Sequence, residues 1–365
     1  MTHPPDNLPA VLGERFDVER EIGRGGMAIV FLAHDRKHDR PVAVKVLRAE
    51  IAAGIGSDRF LREIRTAARL QHPHIVPLHD SGDADGFLYY VMPYLRGESL
   101  RERLEREPQL PLDEALHITR DVAGALDHAH SNDIVHRDIK PENIFLSGGH
   151  ALVMDFGIAR AVSASAAGDT ITFAGIAVGT PAYMSPEQGA AEPKIDGRAD
   201  VYALGCVVYE MLSGHPPFLG RTAQEILARH AIDPVPRLRS SRPDVPEFVE
   251  SAITTALAKS PAGRFPSARS FSDACARARP QPPSSPFVRR VGMAVGAVAL
   301  VAAAFASNRV LRSPTVGRWR HRSRWRRRSL CSRSITSAAT RATRRSAMVS
   351  RRRSRPRSAG YSDSA

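Results

Sequence analysis

The stretch IVHRDIKPENIFL, residues 134–146, sets Asp138, Lys140 and Asn143 in a polar loop between two apolar runs. Phosphoryl transfer asks little covalent chemistry of a protein. It asks for a carboxylate that orients the attacking hydroxyl, a cation on the transferring phosphate, and an oxygen ligand for Mg²⁺. These three residues supply one of each. Twelve residues after Asn143 comes DFG, Asp155–Gly157, whose Asp155 offers a second Mg²⁺ ligand. Upstream, EIGRGGMAIVFLAHD (21–35) carries Gly23 and Gly25 two apart, with Gly26 following. Glycines here let backbone N–H groups approach phosphates without a Cβ in the way. A full G-x-G-x-x-G would place glycine at 28, where this chain has Ala28.

The surrounding elements decide between a phosphate loop and an ordinary hairpin turn. FDVEREIG and IVFLAHD read as strands on either side of the glycines. The loop therefore opens a strand at Val30 and Phe31. A dinucleotide-binding loop opens a helix, so that reading fails. PVAVKVL (41–47) reads as a third strand, with Val42, Val44 and Val46 alternating against Ala43 and Lys45. SDRFLREIRTAARLQ (57–71) reads as a helix with Phe60, Ile64, Ala67, Ala68 and Leu70 in one stripe. FLYYVMPYL (87–95) reads as another strand. From about Asp113 helices dominate. DEALHITRDVAGALDHAHS is amphipathic, and ADVYALGCVVYEMLSG is apolar nearly all round, as a buried helix should be. The expected fold is α+β: a small strand-rich lobe, then a larger helical lobe.

Taken in this order, the motifs resemble the eukaryotic-type (Hanks-type) protein kinases, and among them the bacterial membrane-anchored Ser/Thr kinases. The resemblance covers residues 16 to about 276. It implies the two-lobed kinase fold, with a domain at 16–279 divided into an N-lobe (16–95) and a C-lobe (96–279). It implies ATP with Mg²⁺, or Mn²⁺ in its place, and protein substrates. By matching position, Asp138 would be the catalytic base and Lys140 would neutralise the γ-phosphate. Asn143 and Asp155 would bind the metal. Lys45 would hold the α- and β-phosphates, positioned by Glu63 in the following helix. Ile22, Gly23, Gly25, Gly26, Val30 and Ala43 complete the ATP-binding set. Met92 would be the gatekeeper, with the Pro93 carbonyl and the Leu95 N–H and carbonyl reading adenine. Lys140 two residues after Asp138, and GTPAYMSPEQ (179–188), match the Ser/Thr form. Thr180 would touch Asp138 and Lys140. Glu187 is expected to pair with Arg264, and Asp200 to brace the catalytic-loop backbone. Activation is expected through phosphorylation of Thr170 and Thr172, paired by Arg137. Ala28 adds one methyl at the far end of the loop, while every charged catalytic position is intact. An active enzyme is therefore expected. The alternatives are a catalytically weak or pseudokinase scaffold on the same fold, and a small-molecule phosphotransferase, which would lack GTPAYMSPEQ.

Charge bears on partners. The 365-residue chain carries +14, yet residues 309–365 hold 18 Arg and one acid, Asp363, which is +17. Residues 1–308 are left at −3, so the body loses the main reason to bind nucleic acid, and no specific nucleic acid is expected. Three scattered cysteines give no metal spacing or disulfide framework, as suits a reducing cytoplasm. Residues 1–15 read as a Pro-containing lead without an apolar run. PQPPSSP begins a linker at 280–290. Val291–Ser307 is uncharged and spans about 25 Å as a helix, at the short end for a bilayer. It is read as a single transmembrane helix anchoring a cytoplasmic kinase domain to the cell membrane. Gly292 and Gly296 form a G-x-x-x-G through which two helices could pair as a homodimer. Residues 308–365 are Arg/Ser-rich low complexity, expected to be disordered. A single crossing would put that tail outside, against the positive-inside rule. Two accounts stand: a basic tail lying on anionic lipid beside the kinase, or a shifted reading frame of a GC-rich gene.

Overall fold

The computed structural model describes residues 10–156 and 181–276, all in the first of two units, Met1–Ser284. Gly157, the Thr170, Thr172 and Thr180 positions, the linker, the apolar run and the basic tail lie outside the described residues. Among the described residues no helix is long and apolar enough to cross a membrane.

Five antiparallel strands form the first sheet, in the order β1-β2-β3-β5-β4. They are β1 (Phe16–Arg24), β2 (Ala28–Asp35), β3 (Arg40–Leu47), β4 (Asp80–Ala84) and β5 (Phe87–Pro93). Because side chains alternate across a strand, each strand supplies both faces. Val42, Val44 and Val46 pack with Phe16, Phe31 and Val91 on one face. Ala43 packs with Ala28, Leu47, Phe60 and Met92 on the other. Helix α1 (Ala10–Arg15) buries Leu12 on the first face, so the end of the expected lead belongs to the small lobe. Helix α2 (Ala49–Ile55) and helix α3 (Ser57–Ala67) cover the second face through Ile51, Ile55, Phe60 and Ile64. Helix α3 stops sooner than its apolar stripe suggests. Ala68 caps it and is exposed, while Leu70 is buried from the turn beyond.

The larger lobe is helical around one core. Helix α4 (Leu100–Arg106) starts at a capping box, in which the Ser99 hydroxyl accepts from the Glu102 N–H and the Glu102 carboxylate accepts from the Ser99 N–H. Helix α5 (Leu112–His130) and the helix Arg198–Ser213 pack their apolar faces together with those of Glu247–Ala256 and Ala268–Ala276. Every residue from Ala199 to Ser213 is buried, as the unbroken apolar run implies. Gly214 ends that helix at φ +90, a conformation in which a Cβ is strained. A small sheet of β6 (Glu98–Ser99), β7 (Ile144–Ser147) and β8 (His150–Val153) belongs to the larger lobe, and the loops with Asp138 and Asp155 flank β7 and β8.

Candidate active site

Three strands aim their side chains at one point. Val30, Lys45 and Tyr90 stand directly opposite one another across β2, β3 and β5, so they share a face. Lys45 Nζ reaches Asp155 Oδ2 at 2.5 Å, and the Tyr90 hydroxyl donates to Asp155 Oδ1 at 2.5 Å. Both carboxylate oxygens are thus engaged. Burial alone would push the Asp155 carboxyl up. The Lys45 charge and the hydrogen bonds from Lys45 and Tyr90 outweigh it and hold the carboxyl below its ordinary value. Tyr90 is fully buried, and burial together with the Asp155 charge drives its phenol well above the usual range. Asp155 adopts φ +65, which turns it out of the strand direction of β8 toward the sheet.

The expected partner of Lys45 was Glu63. In the structure the ion pair at Lys45 goes to Asp155 instead. Glu63 sits half-buried on α3.

The second cluster gathers on Asp138. Lys140 Nζ lies 2.8 Å from Asp138 Oδ2. Asn143 Nδ2 donates to the same oxygen at 3.0 Å and to the Asp138 carbonyl at 2.7 Å. Among the described residues no donor meets Asn143 Oδ1. The two clusters are joined through backbone: the Met154 N–H donates to the Asn143 carbonyl at 2.9 Å, one residue before Asp155. His136 ties them again. Its Nδ1 accepts from the Asp138 N–H at 3.2 Å, so the ring proton is on Nε2, which donates to the Met154 carbonyl at 2.8 Å. The same ring stands edge-on to Phe156 at 4.6 Å.

A buried acid holds the loop from below. Asp200, 1% exposed, accepts the N–H groups of His136 and Arg137, each at 2.8 Å, and a hydrogen bond from His130 Nε2 at 2.7 Å. This bracing lets Arg137 adopt φ +69 just before Asp138. Gln188 Nε2 donates to the Arg137 carbonyl at 2.8 Å. Glu187 forms the expected bidentate pair with Arg264, at 2.6 and 2.7 Å, and the Arg264 guanidinium lies 4.7 Å from the Tyr202 ring centre. Tyr202 in turn bonds His230 Nδ1 at 2.8 Å.

Ala43 and Met92 are in the inner core, with Ile22, Val30 and Leu95 packed against it. Met154 joins them from the loop before DFG. The glycine loop is open: a Cβ on Gly23 or Gly25 meets nothing nearer than 3.8 Å, and one on Gly26 meets nothing within 4 Å. The Ala28 methyl is only 4% exposed and packs into the inner core, away from that open side. Its carbonyl accepts from the Gly25 N–H at 2.9 Å, closing the turn. The third glycine is therefore replaced without filling the loop.

One residue of the site carried no signal of its own. Tyr90 reads as one aromatic in an apolar strand, and only its register opposite Lys45 reveals it. Met154 had a locatable signal in its place directly before DFG. The donor set is oxygen for a cation (Asp155, Asn143) and nitrogen for an anion (Lys45, Lys140), in keeping with a hard divalent metal and a polyphosphate.

Residues 16–279 match the protein kinase domain family. The chain is 40% identical over 296 residues to the serine/threonine-protein kinase PknB of Mycobacterium leprae, covering 79% of this chain and 46% of that protein. It is 42% identical over 263 residues to the serine/threonine-protein kinase PrkC of Bacillus subtilis, covering 70% of this chain and 39% of that protein. The chain thus spans less than half the length of either relative. It is similar in structure to Rad53 residues 1–466 crystallised with AMP-PNP, at a TM-score of 0.58 and 26% identity, covering 72% of this chain and 65% of that one. With the family match extending over both lobes and both loops of the site, the chain belongs to the protein kinase domain family.

Proposed function

We propose that the protein is a serine/threonine protein kinase that transfers the γ-phosphate of ATP to protein hydroxyls. One observation carries the reading: a single carboxylate, Asp138, is held between Lys140 and Asn143, and is linked through Asn143 and Met154 to Asp155 and Lys45. Every charged position that the transfer needs is present in one connected site, which leaves the scaffold reading without a supporting feature.

The roles follow from charge and reach. Asp138 orients the substrate hydroxyl and receives its proton, with its orientation fixed by Lys140 and Asn143. Lys140 stands beside it, placed to neutralise the transferring group. Lys45 serves the inner phosphates. Asn143 Oδ1 and the Asp155 carboxylate would hold Mg²⁺, or Mn²⁺, which would supply positive charge against the negative charge of the transferring phosphate. For that, Asp155 must loosen its present bonds to Lys45 and Tyr90, and Lys45 then becomes available to Glu63. The walls of Ile22, Val30, Ala43, Met92 and Leu95 fit an adenine ring, with the hinge backbone at Pro93 and Leu95 as its reader.

The Ser/Thr preference is supported by Lys140 at its spacing from Asp138 and by the names of the relatives. Autophosphorylation at Thr170 and Thr172, paired by Arg137, and contact of Thr180 with Asp138, rest on sequence. The test is the full chain with radiolabelled ATP and a generic basic protein. Label in phosphoserine and phosphothreonine, with Thr170 or Thr172 among the labelled positions, is expected. Phosphotyrosine as the main product would contradict the specificity.

A further inference from the structure

Far from the glycine loop in sequence, three imidazoles converge on one buried carboxylate. Asp121 sits on α5, its side chain 7% exposed. Its Oδ2 faces His74 Nδ1 at 3.6 Å, His117 Nε2 at 3.5 Å and His150 Nδ1 at 3.3 Å. His74 comes from the loop after α3, His117 from one turn earlier on α5, and His150 from the start of β8. The His150 ring packs between the other two, at 5.5 Å from His74 and 5.7 Å from His117.

The spacings discriminate between two explanations. A charge-assisted hydrogen bond to a carboxylate closes to about 2.7–2.9 Å. None of these three does. With metal–ligand bonds of about 2.0–2.2 Å, neighbouring ligands of a tetrahedral ion lie about 3.4 Å apart. The observed 3.3–3.6 Å is that edge. The ligand atoms of His74, Asp121 and His150 all lie within 4.8 Å of one another. The support beneath them is also that of a ligand set: the Ala151 N–H donates to Asp121 Oδ2 at 3.1 Å and fixes the carboxylate.

We propose that His74, Asp121 and His150 form a binding site for a zinc-class divalent ion, with His117 beside Asp121, separate from the phosphoryl-transfer site. Two imidazoles and one carboxylate suit Zn²⁺ rather than Mg²⁺, which takes oxygen ligands in octahedra. In the metal-free form His74 Nδ1 donates to the Ala151 carbonyl at 3.0 Å. Ligation at that nitrogen requires the other neutral tautomer, with the ring proton moved from Nδ1 to Nε2 through solvent, and exchanges the hydrogen bond for a metal bond. The consequence is mechanical. The His74 carbonyl accepts from the Val153 N–H at 2.9 Å, and the Val153 carbonyl from the Val76 N–H at 3.0 Å. The ion would staple the segment that follows α3 to α5 and to β8, two residues ahead of Asp155.

The test is zinc titration of the full chain, stripped with chelator, against a chromophoric competitor, with cobalt substitution for geometry. One high-affinity zinc is expected, together with the intense visible absorption of tetrahedral Co²⁺. Outer-shell changes alone cost roughly 10–100-fold in metal affinity, so His150→Ala and His74→Ala should each weaken zinc by about tenfold or more. His150 is exposed, so its variant tests the site without threatening the fold. Zinc binding unchanged in both variants, or cobalt bound only in octahedral form, would overturn the proposal.

Discussion

A carboxylate with both oxygens occupied is the centre of the site in this structure. Asp155 is engaged by Lys45 and Tyr90 at once, and Tyr90 reaches it because β3 and β5 place the two side chains opposite each other. A hydrogen bond to a charged group contributes about 1.5–3 kcal/mol when its loss leaves the charge under-satisfied. Tyr90→Phe should therefore lower stability by about 1–2 kcal/mol. Denaturant unfolding at neutral pH reads this, and a variant as stable as the parent would show that the hydroxyl is not holding Asp155. Position 28 teaches the same lesson in reverse. The sequence reading put the Ala28 methyl at the far end of the loop and expected an active enzyme, and in the structure that side chain packs into the core.

At the scale of elements, the catalytic loop is held by the buried base of the Arg198–Ser213 helix. Burial would lower the His130 pKa, but the bond and charge of Asp200 raise it above its ordinary value. Burial would raise Asp200, but His130 and the N–H of Arg137 hold it down. The His130 contribution to stability is complete below about pH 6.5 and is lost as pH rises through its raised folded value. The Asp200 contribution is complete above about pH 3.9 and is lost as pH falls through its lowered folded value. His130→Gln should then cost most between those limits, and the difference from the parent should shrink as pH climbs above neutrality. Urea unfolding across pH 5–9 measures it, and a pH-independent difference would contradict the pairing. Breaking the buried Glu187–Arg264 pair by removing one partner is a change of about 3–5 kcal/mol, because the survivor is left charged and buried.

The strands around the glycine loop, β3, β5, α5 and the buried helix were all legible from period and apolar content. Helix α2 and strand β4 were not. AEIAAGI is short and glycine-containing, and it is helical because Ile51 and Ile55 bury on the sheet. DSGDA has no β-branched or large apolar residue at all. It is a strand because β5 offers it an edge, and Gly82 is required there because a Cβ would lie 2.7 Å from the Tyr89 hydroxyl oxygen. In both cases tertiary contact overrides local preference. The site divides the same way. Charged residues in fixed local spacing, such as Asp138, Lys140 and Asn143, could be found from the chain alone. Partners chosen by register or by competition, Tyr90 and the Asp155 end of the Lys45 ion pair, could not.

At the scale of the molecule, the small lobe supplies Lys45 and an apolar slot, and the large lobe supplies the carboxylates with Lys140 and Asn143 on a braced loop. Residues 1–308 are close to neutral, so the basicity of the whole chain lies in residues 309–365. If Val291–Ser307 tethers the kinase domain as its sequence suggests, the full chain should sediment with membranes after cell lysis. Recovery in the soluble fraction would contradict the tether. The central claim is that Asp138 serves phosphoryl transfer to protein hydroxyls, and the comparison of the full chain with Asp138→Asn tests it most directly. Both proteins are given saturating Mg-ATP and a generic basic protein, and nucleotide binding is measured alongside transfer. The account predicts intact ATP binding with transfer reduced by about 10²-fold or more, the loss expected of a positioned general base. Transfer at the parental rate by Asp138→Asn would contradict it.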